Sequence, residues 1–322
     1  MCVIGGMRRN RLLHKGAAGM LLAAILMTAN TAEGQGFATH SRLSNGTWYR
    51  IPVSRTGIYR LTTAELPALQ GVACRDIALY GAPGDQLTTH TGSTLPDDLT
   101  PTAIEVTDAN GNGTFDAGDY LLFYAEGPNV WRYVSGDQRF EYQNHAYATV
   151  NCYYLTLNAP TTGDAQSLLR LQNSAITSAN RGDLSYYTGV AVMHDDKLNP
   201  NQGGQVWVAD KYTSALREHN YELTLPGIQQ NATIYARYAL ASKSTARAEF
   251  DMKYNSESRQ HLFPSGESYT TVLETFTART NATVSLTCTY KPSESYAEGY
   301  LDFIELNCNA PLTYPGGQWT IR

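Results

Sequence analysis

Charge is scarce in this sequence. Asp, Glu, Lys and Arg make up 16% of its 322 residues, against about 25% in an average soluble protein. Lys and Arg number 24 against 29 Asp and Glu, for a net charge of −5. Nucleic-acid binding neutralises phosphates with clustered basic side chains, so that class of partner is excluded. No long apolar run follows Met27, so the chain downstream does not cross a membrane by itself. Heptads, long helical periods and tandem repeats are missing as well. There is no Gly-x-Ser-x-Gly elbow, no Walker loop and no His-Glu-x-x-His. The absence of any Cys-x-x-Cys pair argues against a zinc ribbon or a thioredoxin-type motif. A thiol nucleophile needs an imidazole beside it, and His40 with Cys74 is the one His/Cys pair with plausible spacing. His40 sits in a polar stretch, and Cys74 lies between a short helix and a strand. Neither follows an apolar strand, so surface and core roles are expected, and no catalytic residue is assigned.

The N-terminus carries an export signal. Arg8, Arg9, Arg11 and Lys15 form a basic opening, and an apolar run follows from Gly16 to Met27. A dozen residues suit a signal-peptide core and fall short of the roughly 20 that span a bilayer. Ala32-Glu33-Gly34 then offers a small-x-small cleavage site, which assigns residues 1–34 to the signal. Cys2 precedes the apolar run and is not placed like a lipoprotein acceptor. Cleavage leaves Cys74, Cys152, Cys288 and Cys308. Export permits disulfides. The sequence leaves open three pairings, among them a loop-closing Cys288–Cys308 bridge, as well as four free thiols.

The remaining length suggests two domains, over 37–160 and 165–322, joined at Ala159–Asp164. In the first, Tyr49, Ile51 and Val53 share one face at period two. Ser54–Gly57 reads as a turn, and Ile58–Leu61 as the returning strand of a hairpin. Thr62 and Glu65 form a capping box for a short helix through Leu69. Further strands are expected over Ile77–Tyr80, Ala103–Val106, Tyr120–Ala125 and Tyr147–Leu157. In the second, strands are expected over Gln205–Val208, Tyr221–Leu225, Thr233–Ala241, Ala248–Tyr254, Tyr269–Phe276, Thr283–Tyr290 and Tyr300–Leu306. The fold class is therefore mainly β: a small α+β or β domain followed by a β-sandwich of jelly-roll type.

The sharpest local motif runs from Asp108 to Asp119. Asp108, Asn110, Asn112, Asp116 and Asp119 fall at positions 1, 3, 5, 9 and 12 of a calcium loop, with Gly113 at the sharp turn of position 6. Thr114 at position 7 offers its backbone carbonyl. Calcium needs six to eight oxygens, and this spacing wraps them around one point. The flanks read as strands, so this is a calcium-like loop between strands with a structural role. The competing reading is a loop of Asx turns bonding its own backbone. His194-Asp195-Asp196 reads as a solvated turn, because adjacent residues rarely converge on one ion. Arg181-Gly182-Asp183 matches an integrin tripeptide too easily to carry weight. Trp48, Trp131 and Trp207 could build a sugar platform, but such residues in β-sandwiches are mostly core or half-buried.

Several segments, taken in order, resemble the N-terminal region of the PorU-type sortases of the type IX secretion system, gingipain-type cysteine peptidases. They are Ser44–Leu61, Ile77–Gly81, the loop running into Gly118–Pro128 with Trp131, and Gly299–Asn307 followed by Leu312 and Gly316-Gly317-Gln318. Two positions depart from the family pattern. Gln205 stands where an Arg is usual, and Ala209-Asp210 where Gly-Glu is typical. In that family the peptidase domain, with its His and Cys, lies C-terminal to such a region, so no catalytic residue transfers to this chain. The resemblance implies a non-catalytic segment serving docking, cargo contact or structural support. It also implies a periplasmic, outer-membrane or cell-surface location, with type IX secretion components and secreted cargo proteins as partners. A stand-alone exported binding module and a prodomain-like peptidase regulator are the alternative classes.

Overall fold

The computed structural model describes residues 39–88, 90, 93, 96–159, 170–171, 185–280 and 282–313. The export signal, most of the 159–164 linker and the 181–183 tripeptide lie outside the described residues. Eleven strands precede residue 160: β1 (Trp48–Val53), β2 (Gly57–Leu61), β3 (Val72–Ala73), β4 (Ala78–Gly81), β5 (Thr100–Thr102), β6 (Ile104–Thr107), β7 (Thr114–Phe115), β8 (Tyr120–Ala125), β9 (Val130–Val134), β10 (Arg139–Gln143) and β11 (Asn151–Thr156). Nine follow residue 185: β12 (Tyr186–His194), β13 (Asp210–Tyr212), β14 (Glu218–Thr224), β15 (Thr233–Ser244), β16 (Ala248–Tyr254), β17 (Glu257–Phe263), β18 (Gly266–Thr277), β19 (Thr283–Pro292) and β20 (Glu298–Pro311). Among the described residues, helix is confined to three short 3-10 turns.

The first eleven strands build two main sheets, β1-β11-β4-β5 and β2-β8-β6, with the β9–β10 hairpin beside them. Strand β8 shows how the sequence dictates this. Leu121, Phe123 and Ala125 alternate inward and are fully buried, and they join Val53, Leu79, Ile104 and Leu155 in one core. The expected hairpin of residues 47–61 does not form. Strand β1 pairs with β11, Trp48 opposite Thr156, and β2 pairs with β8, Gly57 opposite Ala125. The turn at 54–56 therefore carries the chain from one sheet to the other. Alternation specifies which face is buried, but not which strand supplies the hydrogen bonds, and distant strands occupy both edges.

The capping box forms, but the helix behind it does not propagate. Glu65 accepts the Thr62 N–H at 2.8 Å, and the Thr62 hydroxyl accepts the Ala64 N–H at 3.1 Å. The turn closes once, with the Leu66 N–H on the Thr62 carbonyl. Pro67 then has no N–H to give, and only a 3-10 turn over Pro67–Leu69 follows.

The later strands form a jelly roll. One sheet runs β12-β20-β15-β18, with β13 added to β20; the other runs β14-β19-β16-β17. All neighbours are antiparallel. Setting aside β13, eight strands form two four-stranded sheets in the double Greek-key order, the chain crossing between sheets at every step but β16 to β17. The core between them is apolar and aromatic, with Tyr212, Tyr238, Phe250, Met252, Leu286, Tyr290, Ile304 and Leu306 buried. Gln205–Val208 is not a strand. Val208 makes only an isolated bridge to Leu198, and the strand lies at Asp210–Tyr212.

The outer face of the first jelly-roll sheet is also covered. Strand β10 packs over β20 and β12. Asn307, 2% exposed, clips the two together: its Oδ1 accepts the Phe140 N–H and its Nδ2 donates to the Phe140 carbonyl, both at 2.9 Å. Strand β20 is thus buried on both faces, which places Asp302, Glu305 and Asn307 in the interior.

Candidate functional site

Two polar constellations stand out. The first is the loop between β6 and β8, into which β7 is folded and held by β3, Val72 opposite Phe115. Gly111 and Gly113 adopt φ of +72° and +79°, a left-handed backbone that glycine takes without strain. This curls the backbone N–H groups inward. Asp108 Oδ1 accepts from Gly111 at 2.7 Å and from Asn112 at 3.2 Å, and its Oδ2 accepts from Gly113 at 2.6 Å. The Gly113 N–H, aided by its neighbours, holds the Asp108 carboxyl below the usual carboxylate range. Asn110 Oδ1 accepts from the Asn112 N–H at 3.0 Å, and Asn112 Oδ1 from Thr114 at 2.7 Å. Asp119, 1% exposed, ties the loop ends by accepting from Ala109 and Asp116, both at 2.8 Å.

All six predicted ligand residues thus lie in one loop, arranged as a set of Asx turns. Asn110 and Asn112 donate their amide Nδ2 atoms to Asp116, at 3.1 Å and 2.8 Å. A cation would require both amides to turn over and present oxygen instead. Asp108 Oδ2 and both Asp119 oxygens accept one N–H each and keep a second lone pair for a cation, while Asp108 Oδ1 already accepts two.

The second constellation lies in the seam between the β9–β10 hairpin and the jelly roll. Arg237 on β15 donates its Nη1 to Glu305 Oε1 at 2.8 Å, lies 3.5 Å from Glu141 of β10, and covers the Phe303 ring. Glu305 Oε2 is buried without a side-chain hydrogen-bond partner among the described residues. Burial pushes the Glu305 carboxyl up to about 7 against the pull of Arg237.

At one end of this seam, His194 closes β12 with its ring against Phe303 and Tyr142. Its Nε2 lies 3.6 Å from Asp196 Oδ1 and 3.5 Å from Asp302 Oδ1. Asp302 comes from β20, where Phe303 stands opposite His194. Asp195, by contrast, turns outward to Lys197 at 3.0 Å. The sequence reads His194–Asp196 as a solvated turn because adjacent residues rarely converge on one ion; the third group, Asp302, is remote in the chain. The signal available was a pair of carboxylates, Asp302 and Glu305, inside an otherwise apolar strand.

The remaining candidates resolve plainly. All four described cysteines are free, Cys288 and Cys308 being buried on facing sheets. Burial, with Asp108 and Asp119 nearby, pushes the Cys74 thiol up, the opposite of what a nucleophile needs. His40 is exposed and bonds only to neighbouring Thr39. Trp48 packs edge-on to Tyr80 and Trp131 to Tyr142, while Trp207 remains 44% exposed beside Tyr147 in an open cleft. No described helix is long and apolar enough to cross a membrane.

No family model matches the sequence, and no curated protein aligns with it. Among solved structures, the dimeric latent PorU of Porphyromonas gingivalis superposes over 88% of this chain with a TM-score of 0.71 at 20% identity. The fold is therefore that of part of PorU, and the chain spans 26% of that protein's length. The carbohydrate-binding module CBM36, in complex with calcium and xylotriose, covers 30% of this chain, and 77% of its own, at 16% identity. Its TM-score of 0.22 is too low to carry an argument.

Proposed function

We propose that this chain is the N-terminal, non-catalytic segment of a type IX sortase-like cysteine peptidase. In that reading it is exported through residues 1–34 and divided near residues 160–165. It docks the peptidase or its cargo at the secretion machinery, and calcium stabilises the Asp108–Asp119 loop. The observation that carries the reading is the PorU-like fold over 88% of the chain. The motifs over Ser44–Leu61, Gly118–Pro128 and Gly299–Asn307 fall in the family's order along it. The full-length relative would process the C-terminal signal of secreted cargo and attach that cargo to the surface. The reading assigns no catalytic residue to this segment, in keeping with the raised Cys74 thiol and the burial of Cys288 and Cys308.

Deletion of the encoding gene in the native bacterium tests the proposal. Secreted cargo should accumulate with its C-terminal signal uncleaved, and re-expression should restore cleavage. Cargo that matures normally in the deletion strain would refute it and move a stand-alone binding module to first place.

A further inference from the structure

We infer that His194, Asp196 and Asp302 form a binding site for a divalent metal ion of the zinc class, pinning the corner where the β9–β10 hairpin, the β12–β13 loop and β20 meet. Nothing in the proposed function calls for this site, and it involves none of the residues of the Asp108–Asp119 loop.

The first argument is spacing. The two contacts of His194 Nε2, 3.5 Å and 3.6 Å, are too long for good hydrogen bonds. Zinc binds imidazole nitrogen and carboxylate oxygen at about 2.0–2.2 Å in tetrahedral geometry, which sets neighbouring ligand atoms about 3.4 Å apart. The three donor atoms all lie within 4.8 Å of one another. The two separations from His194 Nε2 match that edge, so the imidazole and both carboxylates can reach one ion, with a further position left for water.

The second argument is orientation. Each carboxylate has one oxygen fixed by a neighbour and presents the other to the shared point. Tyr269 on β18 donates to Asp302 Oδ2 at 2.6 Å, and Asn144, just past β10, donates to Asp196 Oδ2 at 2.7 Å. Outer partners of this kind hold ligating carboxylates in place at metal sites. The β12–β13 loop is itself braced, because Leu198 and Val208 exchange backbone hydrogen bonds at 2.8 and 3.0 Å.

The third argument is what is left unpaired. The Asp302 side chain is 10% exposed, and its Oδ1, the oxygen aimed at His194, is buried without a hydrogen-bond partner among the described residues. An unpaired buried carboxylate oxygen is costly. A neutral His194 with its proton on Nδ1 would point a lone pair at two carboxylates. A hydrogen on Nε2 or on Asp302 would ease that repulsion at these long distances, and a metal ion at the shared point would remove it while also pairing the Asp302 oxygen. One nitrogen and two carboxylate oxygens suit zinc better than calcium, which takes oxygen ligands, and better than copper(I), which favours sulfur.

The test is titration of the full chain with Zn2+ by calorimetry and with Co2+ by absorption spectroscopy. The expected result is one tight equivalent, visible bands of four-coordinate Co2+, and no thiolate-to-metal charge-transfer band. Asp302→Asn should weaken binding by about 100-fold. Asp196→Asn, on a half-exposed loop residue that does not threaten folding, should do the same. Tyr269→Phe should weaken it by about 10-fold. Asp108→Ala should bind zinc as the parent does. Binding unchanged in Asp196→Asn, or a strong thiolate band, would overturn the inference. So would failure to bind zinc, whichever His194 nitrogen then carries the hydrogen by NMR.

Discussion

Replacing Asn307 by Ala should loosen the hairpin from the jelly roll before it unfolds either part. The Asn307 amide, itself buried, satisfies both backbone groups of the half-buried Phe140, each at 2.9 Å. Truncation leaves one N–H and one C=O unpaired, each costing about 1–3 kcal/mol while they stay buried. The structure has a cheaper escape, because β10 pairs only with β9 and can lift to let water reach Phe140. The loss is thus expected at about 2–4 kcal/mol, in the lower part of the ~2–6 kcal/mol that two groups left buried would cost, and concentrated in the docking of the hairpin. Native-state hydrogen exchange reads this directly. The Phe140 amide should lose protection by about 30-fold or more, since each 1.4 kcal/mol is a factor of ten. Amides of β16 and β19, in the far sheet, should keep theirs. Unchanged exchange at Phe140 would refute the account, and equal loss at β16 and β19 would mean that the clip supports the whole sandwich instead.

Three further outcomes are expected. Glu305 has a folded pKa of about 7 against an ordinary 4.5, so the unfolded chain releases its proton first as pH rises. Its contribution to stability should therefore fall between about pH 4.5 and 7, by about 3 kcal/mol in all; urea midpoints of Glu305→Gln should lack that fall, and parallel curves for the two proteins would contradict it. Phe250 is fully buried against Tyr212, Phe263 and Tyr290, so Phe250→Ala should cost about 3–5 kcal/mol in urea unfolding, and a loss under about 1 kcal/mol would mean the core recloses. Calcium should raise the thermal midpoint of the parent chain but not of Asp108→Ala, and the absence of a shift in the parent would leave the loop a set of Asx turns.

The legible parts of the fold were those where one face is buried and the other wet. Tyr120–Ala125 and Ala248–Tyr254 are read from the sequence with the bounds they have in the structure. Two jelly-roll strands escaped notice for opposite reasons. Glu257–Phe263 alternates, but polar and charged residues fill most of it, as suits an edge strand. Tyr186–His194 is interrupted by Gly189, which lies so close to Pro226 that a Cβ there would come within 2.6 Å of its carbonyl oxygen. The pairing of β1 with β11 and β2 with β8 depends on contacts across most of the first hundred described residues, which local alternation does not encode. The Asp108–Asp119 motif was legible because its residues are contiguous. The His194–Asp196–Asp302 corner was not, because Asp302 is remote in the chain and a second layer laid over β20 is what buries it.

Tyr186 and Pro311 stand opposite one another, the first residue of β12 against the last of β20. The polypeptide therefore enters and leaves the jelly roll at one end of a single antiparallel pair. Tension between those two points would load the pair as a zip, parting Tyr186 from Pro311 first and His194 from Phe303 last, instead of shearing all nine register pairs together. A segment pulled across a membrane or by tethered cargo would yield stepwise at low force, with its most reinforced corner the last to open.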